Sequence, residues 1–283
     1  MEIRPVVLMT GCSSGFGYET ALLMARKGWF VFATMRNLRK SGPLKAAAQG
    51  LPLEILRLDV DSEASVKRAV ARALKRAGKV DVVVNNAGFG AYGAILDFED
   101  SEVRAQFETN VLGPLRVARA LLPSMMERGK GRIINVGSVA GRVTFTGMGL
   151  YNSSKYAVEA FTEAIRLEGK SYGIDACVVE PGMFHTSFGT NRKWAKKWVS
   201  KRSPFQEVID RMVEYMGRRK SNGGGALPVA QTILAAAEAR HLKIRYPVGQ
   251  DSWTLICLSS VVPGGLLEFL KRLALPKGGG TGK

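Results

Sequence analysis

A short apolar run, Pro5-Val6-Val7-Leu8-Met9-Thr10, leads straight into Gly11-Cys12-Ser13-Ser14-Gly15-Phe16-Gly17 and then into a helical pattern over residues 18–27. This order constrains the fold more than any other feature of the chain. Glycines at a strand end let the backbone turn sharply and approach a pyrophosphate, and the helix beyond them offers unpaired N–H groups to its charge. The same turn also serves as a plain strand-to-helix connection, so its meaning depends on the elements downstream.

Those elements alternate. Residues 29–34 read as a second strand and 53–58 as a third. An amphipathic helix over 62–77 is opened by Asp61-Ser62-Glu63, and a fourth, apolar strand spans 80–84. A long helical stretch covers 102–128, eased at Pro114, and further strands cover 132–136 and 174–179. Strands and helices alternating at these lengths predict an α/β fold with a doubly wound parallel sheet, in which ligands sit outside the carboxyl ends of the strands. The unusual residues fall at those ends: Arg36, Asp59-Val60, Asn85-Asn86-Ala87-Gly88, Gly137-Ser138 and Glu180-Pro181-Gly182. Asn86, Ala87 and Gly88 either lie against an adenine or brace the sheet centre. At the second strand end Met35 offers no carboxylate to a ribose hydroxyl, and Arg36 comes next. That favours a 2′-phosphate, hence NADP(H) over NAD(H), unless Arg36 is simply a solvated loop charge.

The segment Tyr151-Asn152-Ser153-Ser154-Lys155 sets a phenol and an ammonium four residues apart on a helix, on one face. A fixed cation beside a phenol favours the phenolate, so Lys155 is expected to lower the Tyr151 pKa and make it a usable proton donor or acceptor. Ser138 lies thirteen residues upstream and brings a second hydroxyl within reach of the same pocket.

At 283 residues the chain can bury a large core, and 46% hydrophobic with 23% charged residues is ordinary for a globular protein. The net charge of +17 is not ordinary. It suits a nucleic acid, an anionic membrane surface or an anionic ligand. No helix-turn-helix, zinc-finger or RNA-binding aromatic motif supports the first, and no nucleic acid partner is expected. Cys12, Cys177 and Cys257 form no spaced framework and point to a reduced, cytoplasmic setting. Cys12 is either a thiol activated by the helix start or a buried filler. Residues 4–10 are too short for a signal peptide, and no run reaches the length of a spanning helix. His185 and His241 are isolated, so no metal site is expected.

Taken in order and spacing, Thr10 to Gly17, Asn85-Asn86-Ala87-Gly88, Asn110, Ser138, Tyr151-x3-Lys155 and Pro181-Gly182 resemble the short-chain dehydrogenase/reductase family, strongly over residues 4–190. The resemblance implies a single Rossmann-type domain over 1–276. It assigns Tyr151 as general acid or base, Lys155 to the nicotinamide ribose and the phenol, Ser138 to the substrate oxygen, and Asn110 to a water on a proton relay. It places the cofactor along Gly11, Ser13, Ser14, Gly15, Phe16, Gly17, Arg36, Asp59, Val60, Asn86, Ala87, Gly88, Tyr151, Lys155, Pro181, Gly182 and Thr186. The wording of the glycine turn with Ala33-Thr34-Met35-Arg36 is similar to the 17β-hydroxysteroid and retinol dehydrogenase subgroup, which implies a lipophilic alcohol or ketone. Phe145, Met148, Leu150, Met183 and Phe184 form either an apolar substrate wall or plain core. The competing expectation is a cofactor-binding regulator that has lost turnover, and the intact Asn110, Ser138, Tyr151 and Lys155 set speaks against it. The resemblance also hints at a homo-oligomer.

Residues 187–225 read as an insertion over the pocket, basic through Arg192, Lys193, Lys196, Lys197, Lys201 and Arg202 to Arg219 and Lys220, with Trp194, Trp198, Phe205 and Met212 between them. An amphipathic helix here acts as a substrate lid or as a peripheral membrane contact. Residues 228–239 read as helix and 243–247 as a last strand. The apolar stretch 253–275, broken at Pro263-Gly264-Gly265, covers the substrate entrance, packs in an oligomer or touches lipid. Residues 277–283 are expected to be a disordered tail.

Overall fold

The computed structural model describes residues 4–274 apart from 187, 190 and 219–223. Arg219, Lys220, the start of the glycine break and the expected tail over 277–283 therefore lie outside the described residues.

The strands are β1 (Val6–Met9), β2 (Phe30–Met35), β3 (Leu53–Arg57), β4 (Val82–Asn85), β5 (Ala91–Tyr92), β6 (Gly131–Val136), β7 (Ile174–Pro181), β8 (Lys193–Trp194) and β9 (Arg245–Val248). Seven of them form one parallel sheet in the order β3-β2-β1-β4-β6-β7-β9. The helices are α1 (Gly15–Arg26), α2 (Gly42–Ala47), α3 (Glu63–Ala77), α4 (Asp100–Phe107), α5 (Gly113–Glu127), α6 (Gly149–Gly169), α7 (Lys196–Val199), α8 (Gln206–Arg218), α9 (Leu227–Glu238), α10 (Gln250–Val261) and α11 (Gly264–Ala274).

Strand alternation divides the core in two. Val7 and Met9 of β1 point into one apolar cluster with Ala21, Leu22 and Met24 of α1 and Val229 and Ile233 of α9. Val6 and Leu8 point the other way, against Val66, Ala69 and Val70 of α3 and Val117 and Leu121 of α5. Burial on both faces explains why these strands read as unbroken apolar runs. Each such fully buried side chain contributes about 1.5–3 kcal/mol. In the sheet order β1 pairs with β2 on one side and β4 on the other, both parallel, so the direction in which successive strands are added reverses at β1 and β4. The crevice outside that switch point is where a doubly wound sheet takes its ligand.

Helix ends obey local chemistry. Ser62, extended at φ −119°, accepts the Ser65 N–H at 3.3 Å, and Gly78 at φ +72° terminates α3. The helix expected over 102–128 is instead divided. Residues Glu108–Leu112 form a π turn in which the Gly113 N–H reaches the Glu108 carbonyl. Pro114 has no N–H to give the Asn110 carbonyl in the α register, which is the physical reason for the break. The fourth strand begins two residues later than its apolar run suggested, at Val82. The Asp81 side chain accepts the Val6 N–H at 2.8 Å and pairs with Lys79 and Arg128 at the strand's entrance.

Candidate active site

The glycine turn is packed against the end of β4. Thr10 Oγ1 accepts the N–H groups of Asn86 and Ala87, both at 3.0 Å, and Asn86 Nδ2 donates to the carbonyls of Thr10 and Gly11 at 3.0 Å. Asn86 and Ala87 therefore brace the turn. Gly11 has φ +73°, and a Cβ there would stand 2.9 Å from the Ala87 Cα. A Cβ on Gly17 would come within 2.5 Å of both Asn86 Nδ2 and the Gly11 carbonyl. Gly88 faces Asn110, whose Oδ1 would lie 3.1 Å from an added Cβ. At the start of α1, Ser14 makes no side-chain cap bond and the first turn carries no acid. The turn thus presents helix N–H groups without side-chain partners beside a backbone stripped of Cβ atoms, and it fits a dinucleotide pyrophosphate.

Cys12, in the same turn, is fully buried and directed at the Met9 carbonyl at 3.4 Å. Burial pushes its thiol up to about 12, so it is a filler and not an activated nucleophile.

The other strand ends reach the same edge. Arg36, largely exposed, lies 3.7 Å from Asp61, which also accepts the Thr109 hydroxyl at 2.8 Å. Asp59 donates its N–H to Ser65 Oγ and accepts from the Asp61 N–H, and the Val60 carbonyl accepts from Arg116. Pro181 ends β7, the Gly182 N–H donates to the Val248 carbonyl at 2.8 Å, and Thr186 Oγ1 accepts from the Phe188 N–H at 3.3 Å.

Ser138, Tyr151, Lys155 and Asn110 converge beyond β4 and β6. Ser138 stands beside the Tyr151 phenol and holds it by a weak polar interaction, while its hydroxyl donates to the Pro181 carbonyl at 3.4 Å. Lys155 Nζ lies 5.7 Å from the centre of the Tyr151 ring and donates to the Val136 carbonyl at 2.7 Å. Asn110 Oδ1 accepts the Phe89 N–H at 3.1 Å, and its Nδ2 donates to the Phe89 carbonyl at 2.9 Å and to Ser154 Oγ at 3.3 Å.

One expectation is overturned. The Tyr151 phenol is raised above its ordinary value, not lowered: burial dominates, the adjacent Tyr92 phenol adds to it, and the Ser138 hydroxyl opposes both by less. The Lys155 ammonium donates to the Val136 carbonyl, and its charge reaches the phenol only through space. Burial brings Lys155 itself down to about 8, against the raising charge of Glu159. The site therefore holds a protonated phenol beside a hydroxyl and an ammonium that is still mostly charged at neutral pH.

The match to the family model described as short chain dehydrogenase covers residues 5–197. The chain belongs to this family. It is 30% identical over 269 residues to a 3-ketodihydrosphingosine reductase of Bacteroides thetaiotaomicron, covering 95% of this chain and 97% of that one. It is 34% identical over 255 residues to human 17-beta-hydroxysteroid dehydrogenase type 1, covering 86% of this chain and 77% of that one. A solved short-chain dehydrogenase from Streptomyces avermitilis superposes with a TM-score of 0.82 at 32% identity, over 97% of this chain and 100% of the other. The protein is thus an oxidoreductase of the short-chain dehydrogenase family with a 17β-hydroxysteroid dehydrogenase-like relation.

The Tyr151 side of this short-chain dehydrogenase contains a feature with no clear signal in the sequence. The two-residue strands β5 and β8 pair in parallel, Ala91 with Lys193 and Tyr92 with Trp194. They carry an aromatic row to the Tyr151 phenol: Tyr92 and Phe188 have ring centres 6.0 and 5.7 Å from that of Tyr151, and Trp194 lies 5.7 Å from Tyr92. Tyr92, pushed up to about 12 by burial, had a signal available in Ala91-Tyr92 coming just after the Asn-Asn-Ala-Gly turn, but two residues carry no periodicity. The basic insertion is therefore a short strand and two helices, not one amphipathic helix. Its α8 packs Ile209 and Met212 on Gly147. Of the expected apolar wall, Leu150 is buried and Phe184 stacks edge-on to Phe16 at 6.0 Å, against the glycine turn.

An open concavity of about 540 Å³ lies at the opposite, amino edge of the sheet. Its Arg132 donates to the carbonyls of Ala236, Ala237 and Ala239, its Asp175 pairs with Arg166, and its Glu238 accepts from Trp29. These groups hold the fold together, away from the edge that bears the glycine turn and Tyr151.

Proposed function

We propose that this short-chain dehydrogenase is an NADP(H)-dependent oxidoreductase acting on lipophilic alcohols and ketones. The observation that carries the reading is the buried, protonated Tyr151 phenol beside Ser138, with Lys155 one helical turn on, at the edge that also bears the glycine turn. When bound, a nicotinamide dinucleotide supplies or accepts the hydride. Reduction of a carbonyl builds alkoxide charge on oxygen, and Ser138 and Tyr151 are donors placed to meet it, with Tyr151 giving up its proton. Lys155, as an ammonium, then stabilises the phenolate left behind, and a phenol that keeps its proton favours the reductive direction.

The residues that would hold the cofactor are the Gly11–Gly17 turn for the pyrophosphate and Arg36 for a 2′-phosphate. An arginine and no carboxylate comes directly after β2, which supports NADP(H). Tyr92, Trp194 and Phe188 around Tyr151 support an apolar substrate, as does the similarity to a sphingoid-base and a steroid oxidoreductase. Exposed Trp253, Val261, Leu266 and Phe269 on α10 and α11 support delivery of such a substrate at a membrane surface.

The test is NADPH absorbance monitored across a panel of steroid, retinoid, long-chain and short aliphatic ketones. Turnover concentrated on the lipophilic members is expected. Activity confined to small polar carbonyls, or far better use of NADH, sinks the reading.

A further inference from the structure

One turn beyond Lys155 lies a polar cluster for which the hydride chemistry has no use. Glu159 on α6 and Glu180 on β7 are both buried, Glu180 completely. Arg245 of β9 holds Glu159 Oε2 at 3.0 Å and continues to Glu163. Toward Glu180, Arg142 comes only to 3.6 Å and Arg245 only to 3.9 Å, beyond hydrogen-bond length. Three carboxyl oxygens, Glu159 Oε1 and both of Glu180, consequently have no donor among the described residues. Yet the two carboxyls flank one guanidinium nitrogen, Arg245 Nε standing 3.0 Å from Glu159 Oε2 and 3.9 Å from Glu180 Oε1. Two carboxylates so placed repel in a site shielded from water. A single proton between them turns that repulsion into a charge-assisted hydrogen bond and supplies a donor where none stands.

The pair also sits where the catalytic segments meet. A Cβ on Gly137, the residue before Ser138, would lie 3.3 Å from Glu159 Oε1, and one on Gly141 would lie 3.2 Å from Glu159 Cγ. The Glu180 carbonyl accepts the Ser252 hydroxyl at 2.9 Å, and the next carbonyl, that of Pro181, accepts from Ser138. The loop bearing Ser138, the helix bearing Lys155 and the exit of β7 are therefore all in contact with these two side chains.

We propose that Glu159 and Glu180 share one proton and, as positioning residues, hold the Ser138 loop and the Lys155 turn at their working spacing. The proton count rests on the burial, the shared guanidinium and the oxygens without donors; the positioning role rests on the hydride-transfer reading. The charged groups facing the pair are Arg142 from the Ser138 loop, Arg245 from β9, Lys155 and Glu163 from α6, and Asp251 of α10 beside Gly182. The cations favour ionisation, but burial and the repulsion between the two carboxyls prevail. Glu159 is raised to about 8 and Glu180 is raised as well.

The test is a ¹³C-carboxyl NMR titration of the glutamates in the full chain, with the variants Glu180→Gln, Glu159→Gln and Glu180→Ala. In the wild type, one carboxyl resonance is expected to titrate far above the ordinary glutamate range and to vanish in either Gln variant, because an amide donates permanently where the proton stood. Glu180→Gln is expected to keep kcat, and Glu180→Ala to lower kcat by about tenfold or more with a smaller change in KM. Both carboxyls titrating in the ordinary range, misfolding of Glu180→Gln, or equal damage from Gln and Ala overturns the proposal. Should no ketone be turned over at all, the NMR titration still decides the shared proton, so the failure of the catalytic reading is separable from the failure of this one.

Discussion

Lys155 and Tyr151 stand one helical turn apart, yet the ammonium donates to the Val136 carbonyl at 2.7 Å and lies 5.7 Å from the centre of the tyrosine ring. Its charge therefore acts on the phenol through space. Burial lowers the Lys155 pKa from 10.5 to about 8, so kcat/KM is expected to fall as pH rises through about 8. Stability runs the other way. Between pH 8 and 10.5 the unfolded lysine binds a proton that the folded one has released, so this residue's contribution to stability rises across that window and levels above it. Denaturation of wild type and Lys155→Met at pH 7, 9 and 10.5 checks the sign, and a parallel pH course for the two proteins contradicts it.

Tyr151→Phe removes the proton donor and one oxygen while leaving the ring between Tyr92 and Phe188. Turnover should drop about 10²–10⁴-fold, with NADPH binding retained. Single-turnover kinetics beside a fluorescence titration of NADPH separate the two quantities. A variant that keeps most of its reductase activity refutes the role of the phenol.

Gly17→Ala places a Cβ 2.5 Å from Asn86 Nδ2 and from the Gly11 carbonyl, atoms that tie the turn to β4. Overpacking of this kind costs about 1–3 kcal/mol, and it also blocks the close approach of a pyrophosphate. Urea unfolding and dinucleotide titration should both report the loss; unchanged affinity would mean that the phosphate lies elsewhere.

Arg36→Ala should raise KM for NADPH about tenfold or more and leave KM for NADH nearly unaltered, since a charge-assisted contact to a 2′-phosphate is lost from one cofactor only. An equal effect on both reduces Arg36 to the partner of Asp61.

Most of the sheet and the edge where these residues gather was legible in the sequence because strands buried on both faces read as apolar runs and their carboxyl ends carry residues that need reasons. Gly11, Asn86 and Ser138 are such residues, and Tyr151 was marked by its spacing to Lys155 on α6. The parts that escaped depend on contacts distant in sequence. The raised Tyr151 pKa arises from burial beside Tyr92 and Phe188, which no local spacing encodes. The β5–β8 pair is too short to carry a period. Glu159 had a faint signal, four residues after Lys155 on the same helix face, and Glu180 another, as a carboxylate closing an apolar strand. Only their meeting across α6 and β7 gives either one significance. The division of 102–128 at Asn110 was readable in part from Pro114, but the extra residue in the turn was not.

The short β5–β8 ladder joins two segments that would otherwise move apart. The Lys193 N–H bonds the Gly90 carbonyl at 2.9 Å and the Ala195 N–H bonds the Tyr92 carbonyl at 2.8 Å, while Phe89, next in the chain, is gripped at both its N–H and its carbonyl by Asn110. Whatever pries the basic insertion away from the Tyr92 segment must unzip these two rungs and pull on the π turn behind them. Any displacement of the insertion is in this way mechanically geared to the segment that carries Asn110.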